Sequence, residues 1–220
     1  MSKFLIFFVV LIAVGAAIFF LSQDKKNSAQ PTSTASPPSQ SSNIDMDAQS
    51  IPISKERSNM TWSSKKIVGS SNHTGTIDIQ DGMILVSEGQ VSGGEFTIDM
   101  NSIQNTEAGA GERLVGHLKS ADFFDVENFP DSKMKITKIE KMNGSEGAYS
   151  VTGNLTIKGK TNQITFPAKI KQDGNNVIAD ATFSIDRTKW GVTYGSGSFF
   201  DNLGDNAIDD LIGFEIHLET

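Results

Sequence analysis

The sequence predicts an all-β domain of about eight antiparallel strands, closed into a barrel or stacked as a sandwich. Three observations predict it. Apolar and polar residues alternate with period two along successive stretches, which is the mark of strands with one buried and one solvated face. Glycine-containing turn signals separate the stretches. A single segment breaks into helical spacing.

Taken in order, the chain opens with an unbroken apolar run, Phe4 to Leu21, behind the lone charge of Lys3. A membrane-spanning helix needs roughly 17–25 such residues, whereas the apolar core of a cleaved signal peptide is about 7–15 long. Residues 1–23 are therefore expected to export the chain and anchor it in the membrane; secretion after cleavage at Gly15-Ala16-Ala17 is the alternative. Residues 24–49 are rich in Ser, Thr, Gln, Asn and Pro and nearly free of large apolar side chains. Such a composition cannot offset the entropy of ordering and predicts a disordered linker.

The folded domain is expected over residues 50–220. Phe96, Ile98 and Met100 alternate with polar neighbours, as do Tyr149, Val151, Leu155 and Ile157. The same holds for Ile164 to Ile170, for Val177 to Ile185, and for Ile212, Phe214, Ile216 and Leu218. Turns are expected at Asp81-Gly82, Glu88-Gly89, Asn143-Gly144, Lys158-Gly159 and Asp173-Gly174-Asn175. Met134 and Ile136 share a parity that Ile139 lacks, which predicts a bulge. Gly153 interrupts its strand and marks a bend at a barrel corner. The helical excursion holds Leu114, His117, Leu118 and Ala121; Ser120 is expected to cap a second short turn, with Asp122 near its amino end, and Pro130 ends the segment.

Composition removes many functions. The 220 residues carry a net charge of −7, which opposes nucleic-acid binding, since that needs basic charge to displace phosphate counterions. With no cysteine, the chain has no disulfide, thiolate metal site or cysteine nucleophile. His73, His117 and His217 lie 44 and 100 residues apart, without metal-ligand spacing, and no metal or other cofactor is expected. His73 is read as a loop residue and His217 as a solvent-facing strand residue. Gly195-Ser196-Gly197-Ser198 lacks a strand-to-helix context and a paired base, so it is no nucleophile elbow, and no catalytic residue is expected. Asp209-Asp210 is read as a solvated turn.

The aromatic set is unusually apolar, with 14 Phe against two Tyr and two Trp. Phe123-Phe124 and Phe199-Phe200 lie outside the strands and either plug the barrel ends or line a neck through which an apolar chain enters. Trp190 and Tyr194 would give that neck a semi-polar rim, and His117 is the candidate polar group near a ligand end.

Three stretches together resemble the YceI-like family: Gly93-Gly94-Glu95-Phe96-Thr97-Ile98-Asp99-Met100-Asn101-Ser102-Ile103; Gly116-His117-Leu118-Lys119-Ser120-Ala121-Asp122-Phe123-Phe124-Asp125, followed by Phe129-Pro130; and Val151-Thr152-Gly153-Asn154-Leu155-Thr156-Ile157-Lys158-Gly159-Lys160-Thr161. The resemblance implies an extended, lipocalin-like, eight-stranded antiparallel barrel with one short helical insertion, in an exported bacterial protein. It also implies a polyisoprenoid or isoprenoid quinone bound inside, for carriage or storage rather than catalysis. Residues expected on the ligand are Phe96, Ile98, Met100, Leu118, Phe123, Phe124, Leu155, Ile157, Phe166, Phe183, Trp190, Tyr194, Phe199, Phe200 and Phe214. Many members carry Arg-Asp shortly before the His-Leu pair, where this chain has Leu114-Val115-Gly116. An enzyme acting on an apolar substrate, or a barrel with a filled core, are the alternatives.

Overall fold

The computed structural model describes residues 48–67, 72–107 and 111–220. The expected membrane anchor, and the linker up to residue 47, lie outside the described residues. Nine strands form in chain order: β1 Gln49–Pro52, β2 Asn59–Lys65, β3 Asn72–Ser87, β4 Gln90–Asn105, β5 Asp131–Lys141, β6 Ala148–Ile157, β7 Lys160–Asp173, β8 Asn176–Asp186 and β9 Leu211–Glu219. One helix, α1 (Gly111–Lys119), lies between β4 and β5.

Strands β2 to β9 close an eight-stranded antiparallel barrel. Neighbours run β3-β2-β9-β8-β7-β6-β5-β4, and β4 returns to β3. Closure leaves no free edge in this ring, the usual solution for a long antiparallel meander. The ninth strand is half of an interrupted one. Gln49–Pro52 pairs with Val86–Met83, and Thr61–Lys65 pairs with Thr76–Asn72, so β1 and β2 lie in line along the same edge of β3. The interruption follows Pro52, which cannot donate to a ladder. Buried apolar residues run from Ile51 to Leu218, most of them inward-facing on the strands, with Phe123, Val126, Trp190, Val192 and Ala207 contributed by the segments that cap one end. The barrel is thus complete in its own residues.

Two hairpins use the two-residue turns that match strand twist. Glu88 and Gly89 both have positive φ (51° and 74°), as do Lys158 and Gly159 (48° and 68°). The bulge in β5 is present as a register shift between Ile136 and Lys138. Gly153 sits opposite Ile136 at that shift, where a Cβ would stand 2.8 Å from the Lys135 carbonyl oxygen.

Three local expectations are corrected. Asp81-Gly82 is not a turn but part of β3, beside a bulge between Ile79 and Asp81, with Gly82 against Phe96. His73 lies in β3 rather than in a loop, its Nδ1 3.0 Å from Glu107. Ser120 does not cap a following helical turn. Its hydroxyl donates back to the His117 carbonyl at 2.8 Å and closes the end of α1, and residues 121–124 run on as hydrogen-bonded turns.

Candidate functional site: an apolar barrel interior under a helical cap

The barrel has a capped end, carrying α1, residues 120–130 and the long segment 187–210, and an opposite end closed by the tight turns at Gly89 and Gly174. Inward-facing residues of almost every strand meet below the cap. Met60 and Trp62 come from β2, Ile98, Met100 and Ile103 from β4, Met134 from β5, Leu155 and Ile157 from β6, Phe183 from β8, and Ile212 and Phe214 from β9. Leu118 of α1, with Phe123 and Phe124 after it, forms the roof. These residues enclose a hollow of about 90 Å³, and a second of about 60 Å³ lies toward the turn end, between Ile84, Val151, Phe166, Ile170, Val177 and Leu218. The interior is therefore not packed solid.

Phe96 and Ile216 line both hollows and divide them. Beside this partition Phe166 stacks on Phe183 at 4.3 Å, and Phe183 meets Phe214 at 5.8 Å. An engineered apolar cavity of about 150 Å³ takes up benzene; a prenyl chain therefore enters the smaller hollows here only by displacing wall side chains. Met60, Met100 and Met134, whose unbranched thioether side chains repack readily, stand on that wall.

The polar groups at the cavity are few. Ser132 is buried, and its hydroxyl reaches only the Met100 sulfur, at 3.1 Å. Arg187 is the exception that sequence reasoning missed. It is 2% exposed, and all five of its N–H groups are engaged. Nε donates to the Asp209 carbonyl (3.1 Å), Nη1 to those of Val192 (2.8 Å) and Tyr194 (2.9 Å), and Nη2 to that of Ile208 (3.3 Å) and to Asp210 Oδ1 (3.5 Å). Burial pulls its pKa below the ordinary value, against the carboxylates of Asp210, Asp186 and Asp209. The cation is spent on fastening the 187–210 segment and has no donor left for a ligand.

That fastening relocates several expected site residues. Trp190 is 1% exposed, but it packs as structure: its Nε1 donates to the Leu155 carbonyl at 2.9 Å, and it does not line either hollow. Phe199 and Phe200 are 57% and 51% exposed and lie outside the cavity wall. The reason is a turn about buried Ser196, whose carbonyl accepts from both Phe199 N (3.1 Å) and Phe200 N (3.0 Å), throwing the two rings outward. Tyr194 is exposed too, although its ring meets His117 edge-on at 4.7 Å and Phe123 at 5.2 Å. His117 itself is half-buried in this ring cluster, 3.6 Å from Asp122, and links α1 to the long segment without lining the hollow. Asp209-Asp210 is no solvated turn, since Asp210 also accepts from Ser198 at 2.6 Å and Asp209 pairs with Lys65 at 3.6 Å.

The remaining expected residues stand around the hollows: Phe96, Ile98, Met100, Leu118, Phe123, Phe124, Leu155, Ile157, Phe183 and Phe214 at the larger, Phe166 at the smaller. Among the described residues, no group of three or more His, Asp or Glu side chains could hold a metal ion, and no helix is long and apolar enough to cross a membrane.

Known proteins share this architecture. Residues 52–220 match the family model described as the YceI-like domain. Protein YceI of Salmonella arizonae and of Salmonella newport are each 35% identical over 80 residues, which is 36% of this chain and 38% of those relatives' length. Burkholderia cenocepacia BcnA aligns with a TM-score of 0.57 at 21% identity, over 76% of this chain and 99% of its own. A polyisoprenoid-binding domain from Saccharophagus degradans aligns with a TM-score of 0.57 at 12% identity, over 79% of this chain and 97% of its own. The YceI protein of Campylobacter jejuni gives 0.52 at 21% identity, over 71% and 88%. With a family match that runs the length of the barrel and the same closed fold in its structural neighbours, this chain belongs to the YceI-like domain family.

Proposed function

We propose that the protein binds a long apolar lipid of the polyisoprenoid type inside its barrel and carries or stores it in the bacterial envelope, tethered to the membrane through residues 1–23. The observation that carries this is the interior below the cap, walled by aliphatic, aromatic and methionine side chains and roofed by Leu118, Phe123 and Phe124. The fold it shares with a polyisoprenoid-binding domain supports the same reading.

The energetics suit exchange rather than permanent capture. Each buried methylene is worth about 0.8 kcal/mol relative to water. The bilayer offers the chain an equally apolar medium, so transfer between membrane and barrel is close to neutral. Packing against the wall then decides which chain is preferred, and a tether raises the frequency of encounter. Binding, not catalysis, is the role this wall serves, since its one charged member is committed to holding a loop.

The test is to purify residues 45–220 without detergent, extract with organic solvent and analyse the extract by mass spectrometry. A prenyl lipid in stoichiometric amount is the expected result. A blank extract, together with no uptake of offered prenyl lipids, would remove the carrier role.

A further inference from the structure

Charge is spread unevenly around the barrel. Residues 131–173, which form β5, β6 and β7, carry eight lysines against four acidic residues, a net charge of +4. The whole chain is −7, so the remainder of it sums to −11. Five of the lysines stand on the outer surface: Lys133, Lys135 and Lys138 on β5, and Lys169 and Lys171 on β7. All five are exposed, and among them only Lys138 has an ion pair, with Glu140 at 2.9 Å. The other acids of these strands lie at the margins, Asp131 and Asp173 at strand ends and Glu146 in the β5–β6 connection. The strand between the lysine rows is uncharged. β6 turns Ser150, Thr152, Asn154 and Thr156 outward, and Thr152 bonds Thr165 of β7 at 2.9 Å while Thr156 bonds Thr161 at 2.7 Å. These short side chains engage one another, so lysine stems rise above them on both flanks. Acids then border the face: Glu95 of β4 stands opposite Lys135, and Asp180 of β8, opposite Lys169, is turned to His217 at 2.7 Å.

We propose that the outer face of β5, β6 and β7 docks the barrel side-on against the anionic headgroup surface of a lipid bilayer. The shape selects a plane over a chain. β5 and β7 each lie one-eighth of a turn from β6 in the ring, so the face is convex and offers no groove for an anionic polymer. With β6 against the headgroups, flexible lysine stems on both flanks reach down to the same plane. The acid-rich remainder does not cancel this attraction. Eight tilted strands about 4.8 Å apart make a ring on the order of 16 Å across, about two screening lengths at physiological salt. The near face therefore decides the interaction, and the uneven charge turns that face toward the membrane. This goes beyond the lipid-carrying role and stands without it.

The experiment mixes the barrel, residues 45–220, with phosphatidylcholine vesicles with and without phosphatidylglycerol and measures the bound fraction by sedimentation. Binding is expected to the anionic vesicles only. It should be lost as salt rises from about 0.1 M to about 1 M, where the screening length falls from about 10 to about 3 Å. Each lysine near an anionic surface is worth about fivefold in partition, so Lys135→Gln with Lys169→Gln should lower it on the order of 25-fold. Lys55→Gln with Lys65→Gln removes the same charge from exposed positions along the β1–β2 line, across the ring from β6, and should leave partition nearly unchanged. In the unaltered protein, anionic vesicles should shield Lys133, Lys135, Lys169 and Lys171 from an amine-reactive reagent and leave Lys55 and Lys65 open to it. Absence of binding, equal binding to both kinds of vesicle, equal loss in the two paired variants, or shielding spread over all lysines overturns the docking face. Release of the barrel from vesicles by a small amount of soluble inorganic polyphosphate, at unchanged ionic strength, assigns the face to an anionic polymer instead and overturns the bilayer as its partner. None of these readouts needs a bound lipid inside the barrel, so their failure leaves lipid carriage standing.

Discussion

Arg187 shows how much one side chain organises. Its five N–H groups gather carbonyls from Val192, Tyr194, Ile208 and Asp209 together with the Asp210 carboxylate, so a segment of glycines and polar residues acquires a fixed course. Removing one partner of a buried ion pair leaves the others desolvated, and Arg187→Met is expected to cost about 3–5 kcal/mol in urea denaturation. Arg187→Lys should recover little of this, since an ammonium has three donors where five are used. The partner gives a pH signature. Burial, the largest single influence on Asp210, acts upward, but hydrogen bonds from Ser196 and Ser198 and the Arg187 cation prevail and hold its pKa below the ordinary 3.8. A carboxylate depressed in the folded state contributes stability that is present above its unfolded value and lost as pH falls through the folded one. Stability measured from pH 7 downward should therefore hold to about pH 4 and then fall, and Asp210→Asn should flatten that acid limb. None of this was legible in the sequence. Asp209-Asp210 reads as a solvated turn because Arg187, its counter-ion, lies more than twenty positions away in the chain, and pairing at that separation leaves no local pattern.

At the scale of single elements, alternation revealed the strands well because each has one face inward. It even located the β5 bulge, where Met134 and Ile136 fall out of phase with Ile139. Gly153 faces that bulge, and a methyl group there would meet the Lys135 carbonyl at 2.8 Å and the Met134 sulfur at 3.1 Å. Gly153→Ala should then destabilise by about 1–3 kcal/mol through overpacking, visible as a lowered midpoint in thermal melting. Had the glycine served only to supply an unusual backbone angle in open space, the substitution would not crowd these atoms. Asp81-Gly82 misled for the complementary reason. A turn dipeptide and a bulge both favour glycine, and only the pairing partner, here Phe96 across the ladder, distinguishes them. The phenylalanine pairs divided similarly. Phe123 and Phe124 roof the cavity, whereas Phe199 and Phe200 follow a turn pinned by buried Ser196 and face outward. Composition cannot separate the pairs, because the difference lies in which carbonyls Arg187 binds and in the Ser196 carbonyl accepting from both Phe199 N and Phe200 N.

Across the whole barrel, the decisive feature is the partition that separates the two hollows. Phe96 and Ile216 face each of them, and the Phe166, Phe183 and Phe214 rings gather nearby. Such a wall limits how far a chain entering from the capped end can run, so under the carrier role it sets the length of lipid retained. Phe96→Ala would join the two spaces. Its expected cost is about 3–5 kcal/mol of stability, typical of truncating a buried phenylalanine, and Phe96→Leu offers a milder version. Lipids extracted from the variant should shift toward longer chains, while Ile216→Phe, which thickens the partition, should shift them shorter. Mass spectra of the extracts check both directions at once. Opposite shifts would place the chain end against Phe96 and Ile216. An unchanged length distribution in both variants, with lipid still present, would mean that the chain stops short of the partition and that the hollow beyond it only gives the wall residues room to move.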